Sequence, residues 1–366
     1  MKVLVKLSKG AHILPAIDKI DDYEIMGFYA NSQKFVGTYE NGLYVYSLFE
    51  AMNMYKTGEI SRFVLNSAQG MDPIERDYRI MKQYNVHEED FLIALPEFIE
   101  HETAEWLVPV KEYHYLPYLE YHVADHCNLN CKGCVHFSPL VKDKSFPDFS
   151  SVENDLRQMK KIVPYIGTIR ILGGEPFLNP ELPKYMRLTR EIYPYADISV
   201  VTNALLINSC TFLEDFIKYN INIDISLYKP LMNMAGDIIK KIKEKGINAT
   251  ISEPIENFAY ALDSKGGHAR FAQQHNCTCP NLYDGGLYVC PIIAYMRYFN
   301  EFFGYDFDDK DGRINIYDNS LSFEQLKLEL HKVRKTCDNC LYISDEHLVF
   351  QQWSQTTKAS ISDYMI

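Results

Sequence analysis

The pattern of apolar and polar positions changes character twice along the chain. Residues 1–110 alternate short apolar runs with amphipathic stretches. KVLVKL, EIMGFYA, SRFVLNS and DFLIAL read as buried strands. VYSLFEAMNMYKTG and DPIERDYRIMKQYNV, with apolar residues three and four apart, read as helices. This alternation predicts a small parallel α/β sheet. Residues 107–122, LVPVKEYHYLPYLEYH, carry two prolines and read as a linker that becomes a strand. From about 119 the alternation resumes, with strands at YHVAD, TIRILGG, ISVVTN, INIDISL and INATISE. Between them lie helices at FSSVENDLRQMKKIV, NPELPKYMRLTREIY, LINSCTFLEDFIKYN and PLMNMAGDIIKKIKEKG. In the last helix Leu231, Met234, Ile238, Ile239 and Ile242 fall on one face, and Gly246 is the expected stop. Five strands and four helices predict an open or partial β/α barrel, because a full eightfold barrel needs about 250 residues. After residue 265 the texture becomes turn-rich and cysteine-rich, and a stretch of that kind needs a metal staple to hold a core. The expected parts are therefore 1–110, 111–265 and 266–366.

The length of 366 residues suits two or three domains. Apolar residues at 47 % and charged residues at 23 % describe a globular chain. Lys plus Arg is 37 against 49 Asp plus Glu, a net charge of -12. That balance argues against a protein that grips nucleic acid through its phosphates. No apolar run reaches the roughly 18–20 residues of a membrane helix, so no membrane partner is expected. Lys6 and Lys9 break the N-terminal apolar run before a secretory core could form, which makes the cytoplasm the expected location. Nine cysteines in such a chain point to metal binding or chemistry rather than to disulfides.

Cys127, Cys131 and Cys134, in DHCNLNCKGC, are spaced C-x3-C-x2-C after the first barrel strand. Three thiolates on one short loop can converge on a soft metal centre, and three protein ligands leave one vertex open. This spacing resembles the signature of radical S-adenosylmethionine (radical SAM) enzymes. The resemblance implies a partial (β/α)6-type barrel and a 4Fe-4S cluster on the three cysteines. It also implies S-adenosylmethionine as cosubstrate, cleaved to a 5′-deoxyadenosyl radical, and a reducing electron donor such as flavodoxin or ferredoxin. A zinc loop is the plainer alternative. The family usually carries an aromatic residue just before the third cysteine; here that position is Gly133, and His136 and Phe137 are the rings that could stand in for it. TIRILGG runs into Gly173, Gly174, Glu175 and Pro176, which match the family's GGEP motif. Glycines let a ligand approach the backbone, and a carboxylate can receive the methionine ammonium. Thr202, Asn203 and Ser226 stand at later strand ends where the family contacts the ribose or the methionine groups, although polar residues there also serve as ordinary caps.

Cys279, Cys290, Cys337 and Cys340 supply four further thiolates, with Cys277 as a rival for Cys279. Four thiolates suit zinc or an iron-sulfur cluster. The arrangement resembles the twitch domain, a shortened form of the SPASM domain, which implies a second, auxiliary 4Fe-4S cluster. Cys210 reads as a structural thiol inside a helix. Residues 1–110 resemble the Rossmann-like N-terminal domain of bacterial sugar-modifying enzymes. One glycine, in Leu7-Ser8-Lys9-Gly10, falls short of a dinucleotide fingerprint, which makes docking the expected role; Asn31 and Ser32 are candidate polar contacts. The expected activity is hydrogen-atom abstraction from a saccharide-like substrate, such as a sugar or aminocyclitol, with oxidation or epimerisation. Modification of a ribosomally made peptide is the second reading, and a zinc-stapled adaptor without catalysis is the third.

Overall fold

Strand β1 (Lys2–Lys6) lies at the centre of the first sheet of this computed structural model. The structure describes residues 1–7, 23–31, 34–66, 80–94, 107–109, 114–194, 196–271, 279–343 and 345–366. Packing divides the chain into two compact units, Met1–Pro117 and Tyr118–Ile366.

In the first unit β2 (Glu24–Ala30), β4 (Leu43–Ser47), β5 (Arg62–Asn66) and β6 (Phe91–Ala94) join β1 in the order β4-β2-β1-β5-β6, with every neighbouring pair parallel. The edges are closed by β3 (Tyr39–Glu40) and β7 (Leu107–Pro109), both antiparallel. Val3, Leu4 and Val5 are all buried, as a central parallel strand covered on both faces requires. The doubly wound order reverses direction between β1 and β5, which is where open α/β sheets place ligands. The segments that follow these strands, 8–22 and 67–79, lie outside the described residues, and so do Ser8, Lys9, Gly10, Ser32 and most of the expected helix 72–86. Helix α1 (Leu48–Lys56) starts later than its periodicity predicts. Val45–Ser47 complete β4, and Ser47 then caps the helix: Glu50 N donates to Ser47 Oγ (3.2 Å) and Ser47 N to the Glu50 carboxylate (2.7 Å).

The second unit carries the alternation expected from 119 onward. Its strands are β8 (Tyr115–Ala124), β9 (Tyr165–Gly173), β10 (Asp197–Thr202), β11 (Asn222–Ile225) and β12 (Ala249–Ile251). Between them lie α2 (Phe149–Ile162), α3 (Leu182–Ile192), α4 (Leu213–Lys218) and α5 (Ala235–Glu244). β9 to β12 pair in parallel and in sequence order, and Gly246 stops α5 with φ +77°. Two helices are shorter than predicted. A 3-10 turn, Ile207–Ser209, is separate from α4, so Cys210 lies half-buried in the junction rather than inside a helix. Met234 precedes α5 and is exposed, leaving Leu231, Ile238 and Ile242 as the buried face.

The sheet does not stop at the expected boundary of 265/266. After β13 (Asn257–Ala259), β14 (Asn281–Tyr283) adds in parallel to the free side of β8. β15 (Gly286–Tyr288) and β16 (Arg313–Asn315) continue antiparallel. Helix α6 (Pro291–Phe303) then packs a continuous apolar face against the cysteine loop region. After α7 (Phe323–Leu330), β17 (Phe350–Gln352) pairs antiparallel with β13. Among the described residues no helix is long and apolar enough to cross a membrane.

Candidate active site

The C-terminal ends of β8 to β11 surround a cavity of about 180 Å³. Cys127, Cys131 and Cys134 line it, together with Gly173, Gly174, Thr202, Asn203 and Ser226. The cysteine loop leaves β8 directly, and β9 is locked to the same point: Gly174 N donates to Ala124 O (2.7 Å) and Glu175 N to His126 O (3.1 Å). This approach explains both glycines. A Cβ on Gly173, at φ +151°, would lie 1.9 Å from Ala124 O, and one on Gly174 would lie 2.2 Å from His126 O. Asn203 ties the loop to β10, its amide donating to Asn128 Oδ1 at 2.8 Å and standing 3.7 Å from Cys127 Sγ.

The chemistry of the donor set suits a metal cofactor. Burial pushes the Cys127 thiol up to about 12 and raises Cys131 and Cys134 as well. Three buried thiols that resist ionisation become stable thiolates when metal cations supply the compensating charge. Among the described residues no group of three or more His, Cys, Asp or Glu side chains closes around a single ion. A 4Fe-4S cube asks for a wider spacing, since each thiolate binds its own iron.

Two predicted contacts lie elsewhere. Glu175 is fully buried behind the cavity wall. Its carboxylate accepts from Thr202 Oγ1 (2.7 Å), Phe177 N (3.0 Å) and Asn203 N (2.8 Å), so it braces β9 against β10 rather than facing a ligand. Burial pushes its pKa up to about 7, against the pull of those three bonds. Phe137 turns at φ +54° into the core, where it packs on Phe299 and Tyr364. His136 is the ring that lines the cavity, together with Tyr228 and Phe258, which sequence reasoning missed.

A buried polar chain runs behind His136. Its Nδ1 lies 2.8 Å from His122 Nε2, and His122 Nδ1 lies 2.7 Å from Asp125 Oδ1. Burial pushes the His136 pKa down to about 3. Asp125 also accepts from the Tyr298 hydroxyl and pairs with Arg297 at 3.5 Å. Burial raises the Asp125 pKa, but its bonds from His122 and Tyr298 outweigh this and hold it low. Asp125, Arg297 and Tyr298 line a second cavity of about 430 Å³. No local motif marks this chain, because its members come from β8, the cysteine loop and α6.

The C-terminal cysteines are gathered in part. Asn281 pairs with Tyr288 across the β14–β15 hairpin; Cys279 lies two residues before one end of that pair and Cys290 two residues after the other. Cys290 and Cys340 share one apolar core. Cys337 Sγ accepts from Arg334 N (3.4 Å). The turn between Cys337 and Cys340 is clamped by Asp338, which accepts from Gly267 N (3.0 Å) and Ala269 N (3.3 Å). Cys277 lies outside the described residues. Asn31 is exposed at the end of β2, in the first unit.

Residues 121–255 match the family model of the Radical SAM superfamily. The chain carries a radical SAM domain. That domain spans β8 from Tyr121 through β12, the elements whose ends form the cavity. A radical SAM domain implies a 4Fe-4S cluster and S-adenosylmethionine, which the three thiols and the glycine-lined cavity fit. Over 141 residues the chain is 30 % identical to a GTP 3′,8-cyclase of Sulfurimonas denitrificans, covering 37 % of this chain and 43 % of that protein. Over 130 residues it is 24 % identical to a 7,8-dihydro-6-hydroxymethylpterin dimethyltransferase of Methanocaldococcus jannaschii, covering 34 % and 26 %. The chain thus spans less than half the length of these curated relatives. Among solved structures it is similar to BtrN in complex with AdoMet and 2-DOIA, at 15 % identity and a TM-score of 0.39, covering 62 % of this chain and 92 % of that one.

Proposed function

We propose that this protein is a radical SAM enzyme that abstracts a hydrogen atom from a saccharide-like substrate, a sugar or an aminocyclitol, and oxidises the resulting radical. The observation that carries this reading is the single cavity shared by Cys127, Cys131, Cys134 and the Gly173–Gly174 backbone. Bound there, a 4Fe-4S cluster would supply the electron that cleaves S-adenosylmethionine to a 5′-deoxyadenosyl radical. The chain's own residues hold and enclose: the three thiols ligate, the glycines admit the cosubstrate to the backbone, and Thr202, Asn203 and Ser226 meet its polar groups. Oxidation of an alcohol carbon removes one hydrogen atom to 5′-deoxyadenosine, one proton, and one electron to an acceptor. Cys279, Cys290, Cys337 and Cys340 are the proposed ligands of an auxiliary 4Fe-4S cluster that takes this electron.

One feature favours oxidation over epimerisation. An epimerase returns a hydrogen atom to the opposite face of the substrate, commonly from a thiol. Among the described residues, the one cysteine outside the two ligand sets is Cys210, and it does not line the cavity. Peptide modification is the second reading. Against it, the first unit is a doubly wound parallel sheet, whereas peptide-modifying enzymes often begin with a winged-helix recognition module.

The test is anaerobic reconstitution, reduction, and assay for 5′-deoxyadenosine with deuterated nucleotide-linked sugars, aminocyclitols and candidate peptides. Deuterium in 5′-deoxyadenosine from a sugar or cyclitol is the expected result. Transfer from peptides alone would replace the substrate assignment. Zinc without iron, and no 5′-deoxyadenosine, would leave the adaptor reading.

A further inference from the structure

The cysteine loop is covered by a segment far away in sequence. Beyond β17, residues 353–356 run antiparallel along the loop, with Cys131 bridged to Gln355. Lys132 N donates to Ser354 O (2.9 Å), and Thr356 N donates to Asn130 O (2.8 Å). The Gln355 side chain donates to Leu129 O (2.9 Å), and Lys132 pairs with Asp363 at 3.1 Å. Gly133 sits at φ +72°, a left-handed conformation that favours glycine, with the Gln351 side-chain amide 2.7 Å from where a Cβ would lie. An aromatic residue at this position would be strained by that φ.

The strap brings one aromatic residue of its own. Trp353 is buried, packs with Leu129 and Cys131, and stacks on Tyr228 with ring centroids 5.6 Å apart. Its indole N–H is buried and makes no conventional hydrogen bond. Cys131 is the sulfur packed beside the ring in the same buried cluster. A buried donor left without an acceptor destabilises the fold. A neutral thiol is a weak acceptor, whereas a thiolate bound to iron is a strong one.

We infer that Trp353 tunes the cluster held by the cysteine loop, donating its indole N–H to the Cys131 sulfur and raising the cluster's reduction potential. This rests on the reading of Cys131 as a cluster ligand. A donor to a ligand sulfur stabilises the more negative, reduced cluster more than the oxidised one, which moves the potential upward. Trp353 touches neither substrate nor reacting atoms in this role; it is a positioning and tuning residue. Its ring, wedged between Cys131 and Tyr228, also keeps water from that sulfur, which strengthens the donor's effect.

The test uses the full chain, reconstituted anaerobically, as wild type and as Trp353→Phe, which keeps a ring and removes the N–H. Three quantities are measured: iron content, the midpoint potential of the S-adenosylmethionine-responsive cluster, and pulsed EPR of the reduced cluster in protein grown with isotopically labelled indole nitrogen. The expected result is unchanged iron in Trp353→Phe, a midpoint potential shifted to more negative values, and loss of a nitrogen coupling present in wild type. Trp106→Phe, which removes the other tryptophan, keeps both the coupling and the potential. An unchanged potential in iron-replete Trp353→Phe overturns the inference while leaving the cluster reading intact. If Trp353→Phe loads no iron, the wild-type nitrogen coupling decides alone, and its absence overturns the inference. A wild-type protein that takes up no cluster defeats the cluster reading and this inference together.

Discussion

Replacing Glu175 with Gln isolates the effect of one buried carboxylate on the unit that holds the site. Burial pushes its pKa from 4.5 up to about 7, although three donors pull it down. The folded value lies above the unfolded one, so the group's stabilising contribution is fully present below pH 4.5, where both states hold the proton. As the pH rises, the unfolded chain loses its proton first, and stability falls until about pH 7 is passed. At about 1.36 kcal/mol per unit, this loss comes to roughly 3 kcal/mol. Glu175→Gln cannot ionise, so its own stability is flat with respect to this group. The variant also leaves one buried donor, the Asn203 N–H, without an acceptor, a pH-independent cost of about 1–3 kcal/mol. Wild type is therefore the more stable protein at low pH, and its advantage shrinks by roughly 3 kcal/mol as the pH climbs through the window. The assay is urea unfolding of the iron-free protein in half-unit pH steps, taking the difference between wild type and variant so that other titrating groups cancel. A difference that stays constant, or that grows as the pH rises, refutes the reasoning. It would mean that the three hydrogen bonds balance or outweigh burial and leave the Glu175 pKa at or below its unfolded value.

Gly173→Ala drives a methyl group into the Ala124 carbonyl at 1.9 Å; it should cost more than the roughly 1–3 kcal/mol of ordinary overpacking and abolish S-adenosylmethionine binding in equilibrium dialysis. Unchanged binding would show that β8 and β9 can separate at their ends. Cys340→Ser should halve the iron content while cleavage of S-adenosylmethionine continues; a full iron complement would remove Cys340 from the auxiliary set. Cys131→Ala should yield a soluble protein with no 5′-deoxyadenosine production, and persisting production would contradict the ligand assignment. Asp155→Asn weakens the acceptor for Gly285 N and the Tyr317 hydroxyl, both at 2.8 Å; a loss of about 1–2 kcal/mol and faster amide exchange at Gly285 are expected.

The parts of the fold visible beforehand are those written in local pattern. EIMGFYA is β2 residue for residue, and the five strands and four helices from β8 to β12 follow the periodicity in order. The cysteine spacing and the two glycines of the β9 end were legible because a metal loop and a close backbone approach each restrict residue type over a few neighbouring positions. Where side chains sit away from the cavity or depart from the motif, the cause is common. Phe137 was expected near the ligand, but a left-handed turn sends it into a core built with α6 and the tail. Glu175 was expected to face the cosubstrate, but donors from β10 claim it. Gly133 departs from the motif at a left-handed φ of +72°, beside the Gln351 side chain. Each outcome depends on a partner distant in sequence, which no window of neighbouring residues contains. The helix boundary at Ser47 is different: serine followed three residues later by Glu50 is a capping box, and that signal was available in the sequence.

The strap over the cysteine loop also orders events in time. Residues 127–134 leave the ribosome long before residues 353–356, so during synthesis the loop waits without the backbone partners that complete it. The first unit has all of its strands early and can fold while the rest is being made. The cysteine loop cannot reach this pairing until residues 353–356 have emerged. A metal cluster offered before then would meet a loop that still lacks its backbone bonds from residues 354–356.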